Sequence, residues 1–238
     1  MRIAVVSGAS SGIGAELVRQ LRARGYRTVG LSRRTSDADE HEPCDVSDRT
    51  SVDAAAARAL ERHPTIDLLV CNAGVAGRGS FLTATPERIE QTIRTNYLGA
   101  VWTVLAFLPG LEAGSHVVNV VSVAGTVAAG PYSASKHAQL AFSRSLAVEL
   151  APRGISVHTV NPGYVETPGF PQRVRLGGAA RFLVVDPPLV VSRLLDAVDR
   201  GTPEIVVPRW YRPAAWIQAL APGAVARARG ARRRLPRK

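Results

Sequence analysis

Short apolar runs alternate with helix-length segments along most of the chain. Runs rich in valine and isoleucine, without polar alternation, are typical of strands buried on both faces of a parallel sheet. Six strands are predicted: Arg2–Ser7, Arg27–Ser32, Ile66–Cys71, His116–Ser122, Ile155–Val160 and Glu204–Val207. Five helices are predicted: Gly12–Arg24, Thr50–Arg62, Pro86–Leu108, Pro131–Leu150 and Pro188–Asp199. This alternation of strands and helices predicts a doubly wound α/β parallel sheet.

Two segments depart from this pattern. Residues 168–188 carry four prolines and three glycines, and they follow the end of a strand, where α/β proteins bind ligands. This segment is predicted to be a lid, with an irregular connection as the alternative. The pattern ends after Val207, so the chain is predicted to consist of one domain over residues 1–208 and an extension over residues 209–238.

Charge separates the extension from the domain. The 238 residues carry a formal charge of +11, but nine basic and no acidic residues lie from Arg209 onward. Three interpretations of the extension remain open: a solvated tail, a segment on an anionic membrane surface, and non-specific nucleic-acid contact. The last has the least support, since nothing that reads bases accompanies the charge.

Composition excludes several classes of protein. The two cysteines, Cys44 and Cys71, form no CxxC pair, so neither a disulfide framework nor a zinc site is predicted, and no other metal site is expected. The N-terminal apolar run leads straight into a glycine-rich turn, which favours a strand over a signal peptide. The longest apolar stretch, Leu98–Leu111, is too short to span a bilayer. A cytoplasmic location is expected.

A glycine-rich turn follows the first strand. Gly8, Gly12 and Gly14 allow a tight turn and a close approach of backbone to a pyrophosphate at a helix N-terminus. The GxxxGxG spacing differs from the GxGxxG fingerprint, but its place between a strand and a helix indicates a Rossmann-type dinucleotide site. A structural turn without a ligand is the alternative.

The second strand ends in a pair of arginines. A carboxylate near this point binds the ribose 2′-hydroxyl of NAD, whereas an arginine accommodates the 2′-phosphate of NADP. Here Arg33 and Arg34 follow the strand, and the first acid is Asp37. NADP(H) is therefore predicted, with Arg33 as the more direct contact. The alternative is that both arginines are solvated loop charges.

Lysine is rare in this chain. Of the 30 basic residues, 28 are arginine, and Lys136 is the only lysine apart from Lys238 at the C-terminus. Tyr132 lies four residues before Lys136, so a helix would place both side chains on one face. An ammonium beside a phenol lowers the pKa of the phenol, and such a tyrosine can act as a general acid or base. An ordinary surface pair is the alternative.

These motifs, in this order, resemble the classical short-chain dehydrogenase/reductases over about residues 1–167. Cys71-Asn72-Ala73-Gly74 is similar to the family's NNAG, and Cys44-Asp45-Val46 to the segment that contacts adenine. Thr95-Asn96-Tyr97 resembles the helix asparagine, Val121-Ser122-Val123 the serine strand, and Asn161-Pro162-Gly163 the turn before the nicotinamide.

The resemblance implies a role for each matching residue. Tyr132 would exchange a proton with the substrate oxygen, Ser122 would donate a hydrogen bond to it, and Lys136 would hold the ribose and lower the tyrosine pKa. Asn96 would help to retain a water between Lys136 and solvent. The implied cofactor-binding residues are Gly8, Ser10, Ser11, Gly12, Ile13, Gly14, Arg33, Arg34, Asp45, Val46, Asn72, Ala73, Gly74, Tyr132, Lys136, Pro162, Gly163, Val165 and Thr167.

One feature departs from the family. The loop between Ser122 and Tyr132 is shorter than usual, which leaves open whether the serine reaches the tyrosine. If Ser122 does not reach, Ser133 and Ser135 would be poor substitutes because both lie at other angles on the helix. His137 is expected to have a packing or surface role.

The sequence thus predicts an NADP(H)-dependent oxidoreductase that interconverts a ketone or aldehyde and an alcohol. The competing hypothesis is a dinucleotide-binding sensor without turnover. The lid's apolar and aromatic residues suggest a moderately hydrophobic substrate. By resemblance alone, a homo-oligomer is expected through the helices near residues 86–108 and 131–150.

Overall fold

The fold is described from a computed structural model, which describes residues 1–76 and 79–234. Seven parallel strands form one sheet in the order β3-β2-β1-β4-β5-β6-β7. Their bounds are β1 Arg2–Ser7, β2 Tyr26–Ser32, β3 Glu40–Pro43, β4 Leu68–Cys71, β5 His116–Val120, β6 Ser156–Pro162 and β7 Glu204–Val207. The order reverses between β1 and β4, where ligands bind in doubly wound sheets.

Nine α-helices flank or follow the sheet in the described part of the chain. They are α1 Gly12–Ala23, α2 Arg49–Arg62, α3 Pro86–Ile93, α4 Gly99–Phe107, α5 Gly130–Leu150, α6 Gln172–Leu176, α7 Pro187–Asp199, α8 Arg212–Leu220 and α9 Pro222–Arg234. Two hydrophobic layers result: α2, α4 and α5 pack on one face of the sheet, and α1 and α7 on the other. The predicted fold class is therefore confirmed.

Strand β3 is absent from the sequence prediction. Its residues, Glu-His-Glu-Pro, lack the valine and isoleucine that mark a buried strand, but they pair in parallel with β2 at the sheet edge. Ion pairs hold this edge: Glu40 bonds Arg27 and Arg62, and Glu42 bonds Arg58. A polar edge strand of this kind gives no hydrophobic signal.

The predicted helix Pro86–Leu108 is interrupted. A π-helical turn, Arg94–Leu98, separates α3 from α4, and such turns are frequent at functional sites. Thr85 caps α3, since its hydroxyl accepts a hydrogen bond from the amide of Arg88.

The predicted lid and extension both contain regular structure. Residues 168–188 hold the short helix α6 and a 3₁₀ turn, Gly178–Leu183, and the extension holds α8 and α9. Residues 235–238 of the predicted extension lie outside the described residues. None of the helices in the described ranges has the length and apolar content needed to cross a bilayer.

Candidate active site

A cavity of about 980 Å³ opens at the carboxyl edge of the sheet, across the point where strand order reverses. Nearly all the predicted site residues line it: Gly8, Ser10, Ser11, Gly12, Ile13, Arg33, Arg34, Asp45, Val46, Asn72, Ala73, Gly74, Ser122, Tyr132, Lys136, Pro162, Gly163, Val165 and Thr167. Gly14 and Asn96 lie behind its wall. The chain thus brings the two groups of predicted residues, cofactor and catalytic, into one space.

The glycine turn shapes one end of this cavity. Gly8 and Gly12 have φ values of 68° and 57°, a region that favours glycine. The N-cap of α1 is Ser11, whose side chain makes no capping hydrogen bond, and the first turn of α1 contains no acidic residue. The free amides at this helix N-terminus therefore suit an anionic group such as a pyrophosphate.

Gly14 supports this turn from behind. A methyl group at Gly14 would lie 2.0 Å from the carbonyl oxygen of Gly8 and 2.7 Å from Nδ2 of Asn72. Asn72 in turn donates through Nδ2 to the carbonyl oxygen of Ser7 at 3.0 Å. The structure thus places Gly14 and the Asn72 amide in the packing that joins the ends of β1 and β4.

The arginine pair lines the cavity at the end of β2. Arg33 and Arg34 follow β2 and are exposed, and Nη1 of Arg33 lies 3.8 Å from Oδ2 of Asp45. The other oxygen of Asp45 accepts hydrogen bonds from the amide and hydroxyl of Ser47. The Arg34 guanidinium forms no ion pair within residues 1–76 and 79–234. A free guanidinium here is available to a phosphate.

Tyr132 and Ser122 meet at the other end of the cavity. Oγ of Ser122 accepts a hydrogen bond from the amide of Ala124 and donates to the carbonyl oxygen of Pro162 at 3.3 Å. Hydrogen bonding by the Ser122 hydroxyl lowers the pKa of the Tyr132 phenol, against the effect of burial. Both residues line the same cavity despite the short loop between them.

Ser133 accounts for the shape of that loop. Its hydroxyl, at the start of α5, donates to the carbonyl oxygens of Ala124 and Val127. The loop is thereby folded into a 3₁₀ turn, Val123–Thr126, against the helix. His137 is exposed, and its ring contacts the carbonyl oxygen of Ser133 outside the cavity.

Lys136 is buried and contributes to the lining of the cavity. Its Nζ donates to the carbonyl oxygen of Val120 at 3.0 Å and to Oε1 of Gln139 at 2.7 Å. A methyl group at Gly74 would lie 3.8 Å from this Nζ, so the lysine also approaches the Asn72-Ala73-Gly74 segment. Burial lowers the pKa of Lys136 to about 7.

The structure does not show the lowering of the Tyr132 pKa that was expected from Lys136. Burial raises the pKa of Tyr132 to about 12, and the opposing contribution comes from Ser122. Two reasons follow from the geometry. The ammonium is bonded to Val120 and Gln139, and its own burial weakens its charge near neutral pH.

Asn96 is fully engaged by its own surroundings. Its amide group accepts from the amide of Val75 at 2.8 Å and donates to the carbonyl oxygen of Val75 at 3.1 Å. It also donates to Oγ of Ser135 at 3.0 Å. Asn96 thus ties the π-helical turn to the Val75 segment and to α5, and its predicted contact with water remains untested.

Several aromatic residues that line the cavity, among them Phe170 and Tyr211, were not assigned to the site from the sequence. Phe170, from the lid, lies with its ring centroid 5.9 Å from that of Tyr132. Tyr211, from the extension, lines the cavity and packs so closely on Gly163 that a methyl group there would lie 2.1 Å from its ring. Its hydroxyl donates to the carbonyl oxygen of Leu183. The aromatic content of both segments could be seen in the sequence. The path by which the chain returns these residues to the cavity could not.

Comparison with known proteins agrees with this geometry. Residues 2–175 match the family model described as short chain dehydrogenase. A protein named as the ketoacyl reductase of the monensin polyketide synthase of Streptomyces virginiae is 39% identical over 201 residues, covering 76% of this chain and 77% of that protein. A Streptomyces coelicolor protein named as a ketoacyl reductase is 33% identical over 248 residues, covering 94% and 92%.

A solved structure extends the comparison. A variant of the actinorhodin polyketide ketoreductase with NADPH superposes with a TM-score of 0.76 at 27% identity, covering 87% of this chain and 95% of that one. The glycine turn, the tyrosine–lysine pair and the matched residues agree on one conclusion. The chain belongs to the short-chain dehydrogenase/reductase family of oxidoreductases.

Proposed function

We propose that this chain is an NADP(H)-dependent oxidoreductase that interconverts a ketone or aldehyde and the corresponding alcohol, with Tyr132 as the acid/base. The observation that carries the proposal is the arrangement of one cavity. The glycine turn at a helix N-terminus lies at one end, and the hydroxyls of Ser122 and Tyr132 line the other together with buried Lys136.

The residues supply the polar part of the reaction. A bound nicotinamide supplies or accepts the hydride. As a carbonyl carbon gains hydride, negative charge develops on its oxygen, and hydrogen-bond donors already in place stabilise that charge. Ser122 donates a hydrogen bond to the oxygen, and Tyr132 transfers its phenolic proton to it. The phenolate then recovers a proton from solvent.

The cofactor preference follows from charge. Arg33 and Arg34 both line the cavity after β2, and Asp45 is the acid nearest to them on the cavity wall. Guanidiniums bind a phosphate in a bidentate manner, which supports NADP(H) over NAD(H). The related ketoreductase structure with NADPH is consistent with this proposal.

The substrate end favours an apolar molecule of moderate size. Around Tyr132 the cavity is lined by apolar or aromatic side chains: Val127, Tyr164, Phe170, Leu176 and Tyr211. Sites of this composition bind ligands mainly through apolar contact, and a few polar groups fix the orientation. We therefore propose a ketone or aldehyde with an apolar substituent.

The test is a carbonyl panel assayed with NADPH and NADH, for wild type and Tyr132→Phe. We expect NADPH oxidation by wild type and a loss of turnover of about a thousandfold in the variant, the usual scale for a general acid. NADPH binding, followed by fluorescence, should persist in the variant. Retained turnover would reject Tyr132 as the proton donor. Binding without turnover in wild type, over a broad panel, would favour a dinucleotide sensor.

A further inference from the structure

Helix α8 presents an apolar face to solvent. Trp216, Ile217 and Leu220 are 63%, 57% and 86% exposed, and their spacing places them on one side of the helix. We call these three residues the α8 stripe. Trp210, just before the helix, is also exposed, at 59%. Large apolar residues grouped in this way mark interaction surfaces more often than scattered ones do.

Positive charge surrounds the α8 stripe. Residues 209–238 contain nine basic and no acidic residues, whereas the preceding residues carry 21 basic and 19 acidic side chains. Arg209 lies three residues before α8, Arg212 is its first residue, and Arg227 is exposed on α9. Within the described ranges, none of these three guanidiniums forms an ion pair. The segment therefore offers apolar and cationic groups together.

The α8 stripe also lies beside the mouth of the cavity. Tyr211, which precedes α8 directly, lines the cavity and covers Gly163. Helix α8 packs against the turn Val123–Thr126, which lies next to Ser122. A surface that engaged the α8 stripe would therefore lie close to the site where the substrate enters.

We propose that the α8 stripe and its arginines bind the surface of an anionic lipid bilayer. Aromatic and aliphatic side chains insert at the boundary between headgroups and acyl chains, while guanidiniums contact lipid phosphates. A second copy of the chain fits less well, because a two-fold contact would bring two arginine-rich segments together. Nucleic acid leaves the exposed aliphatic residues Ile217 and Leu220 unexplained.

The test is sedimentation of the full chain with vesicles of phosphatidylcholine alone and with about one third phosphatidylserine, at about 0.1 M salt. We expect binding to the anionic vesicles and a loss of at least about tenfold in Trp216→Ser/Ile217→Ser/Leu220→Ser, since buried apolar area sets interfacial affinity. Val148→Ser is the matched control, because Val148 is 75% exposed on α5, away from α8.

Each other outcome overturns the proposal. Equal binding to both vesicle types would remove the role of the arginines. Failure of wild type to bind either, with a dimer in size-exclusion chromatography that the triple variant disperses, would make the α8 stripe an interface between copies. Binding to duplex DNA without binding to vesicles would assign the charge to nucleic acid. Retained NADPH binding by the triple variant shows that it is folded.

A separate observation concerns Gln139. It is fully buried, its Oε1 accepts from Nζ of Lys136 at 2.7 Å, and its Nε2 has no partner within the described residues. A buried ammonium needs acceptors to remain charged and in place. We infer that Gln139 is a positioning residue, which holds Lys136 against the cavity wall. This inference rests on the proposed function.

Gln139→Met keeps the volume and removes the acceptor, whereas Gln139→Glu restores an acceptor. We expect Gln139→Met to lower kcat by about tenfold, the scale of one hydrogen bond to a charged group, and Gln139→Glu to recover most of it. Ser143→Ala, one turn further along α5 and also buried, is the matched control and should keep kcat.

Unchanged kcat in Gln139→Met would overturn the inference, as would equal losses in both Gln139 variants. The outcome is distinguishable from failure of the proposed function. If Tyr132→Phe and Lys136→Ala both retain turnover, the proposed site is wrong. If they lose it while Gln139→Met does not, only the role of Gln139 is wrong.

Discussion

The amino ends and the carboxyl ends of the parallel strands, called here the amino edge and the carboxyl edge of the sheet, hold polar groups in opposite ways. At the amino edge the groups are paired with one another: Asp67 accepts from the amide of Ile3 at 2.6 Å, and the hydroxyl of Ser115 donates to the carbonyl oxygen of Ile66 at 2.8 Å. At the carboxyl edge, Tyr132 and Lys136 have pKa values moved by burial, and glycines adopt positive φ. Polar groups at the amino edge stabilise the fold, whereas those at the carboxyl edge are placed for chemistry.

Two serines put this comparison to its strongest test. Ser122→Ala should lower kcat by about a hundredfold, the scale of one lost donor to a developing oxyanion. Ser115→Ala should leave kcat unchanged and lower Tm by about 2–4 °C, because its buried hydrogen bond is worth about 1 kcal/mol. Carbonyl reduction rates and thermal melts check both. Similar losses of kcat in both variants would remove the distinction between the edges.

Substitution of two glycines tests whether close packing at the carboxyl edge is needed for cofactor binding. Gly14→Ala places a methyl group 2.0 Å from the carbonyl oxygen of Gly8, so we expect destabilisation of about 1–3 kcal/mol together with loss of NADPH binding. Gly25→Ala is the control: Gly25 also has positive φ, 78°, but nothing lies within 4 Å of the added methyl group. It should lower stability by less and leave binding intact. NADPH binding retained by Gly14→Ala would contradict the packing argument.

The arginines test whether charge at this edge selects the cofactor. Arg33→Ala and Arg34→Ala should each raise KM for NADPH by about ten- to a hundredfold, the worth of a hydrogen bond to a charged group, and leave KM for NADH unchanged. The larger effect is predicted for Arg33, although Asp45 also approaches it. Arg88→Ala, in an arginine that lines the cavity on α3, controls for the loss of positive charge. Equal rises in KM for both cofactors would count against the phosphate contact.

Much of the carboxyl edge could be predicted from the sequence because it is built from short, ordered motifs. The glycine turn, Asn72, Ser122, Tyr132 and Lys136 each follow a strand or open a helix, and parallel strands bring their carboxyl ends together. What escaped prediction has a different physical origin. Tyr211 reaches the cavity only through the tertiary path of the chain after β7, which no local pattern encodes.

The direction of a pKa also depends on surroundings that a motif does not specify. The spacing of Tyr132 and Lys136 correctly places both on α5, but the degree of burial decides the pKa of each. Gln139 was overlooked for the same reason. A glutamine three residues after a lysine indicates no particular interaction unless both side chains are known to be buried. The polar strand β3 shows the converse case, in which pairing overrides weak local propensity.

A pair of histidines at the amino edge gives the smallest predicted effect. Nδ1 of His116 lies 3.0 Å from Nε2 of His158, and Nδ1 of His158 bonds the carbonyl oxygen of Thr202. Burial lowers the pKa of both imidazoles. At His116 the proximity of His158 lowers the pKa further, against Asp199 and Asp67, and at His158 the hydrogen bond to Thr202 opposes the shift. A lowered pKa means that the unfolded chain binds more protons, so this stability is present above about pH 6.5 and is lost as pH falls.

The prediction is therefore a fall in Tm between about pH 7.5 and 5.5 that becomes smaller, by about 2–4 °C, in His116→Gln. His137→Gln, in an exposed histidine on α5, is the control. Thermal melts across this range, together with kcat at about pH 7.5, distinguish an effect on stability from an effect on catalysis. An unchanged acid slope in His116→Gln would show that His116 binds protons equally in the folded and the unfolded chain. A loss of kcat would instead show that the amino edge is coupled to the site. The two edges would then not differ in the way proposed, since both would affect catalysis.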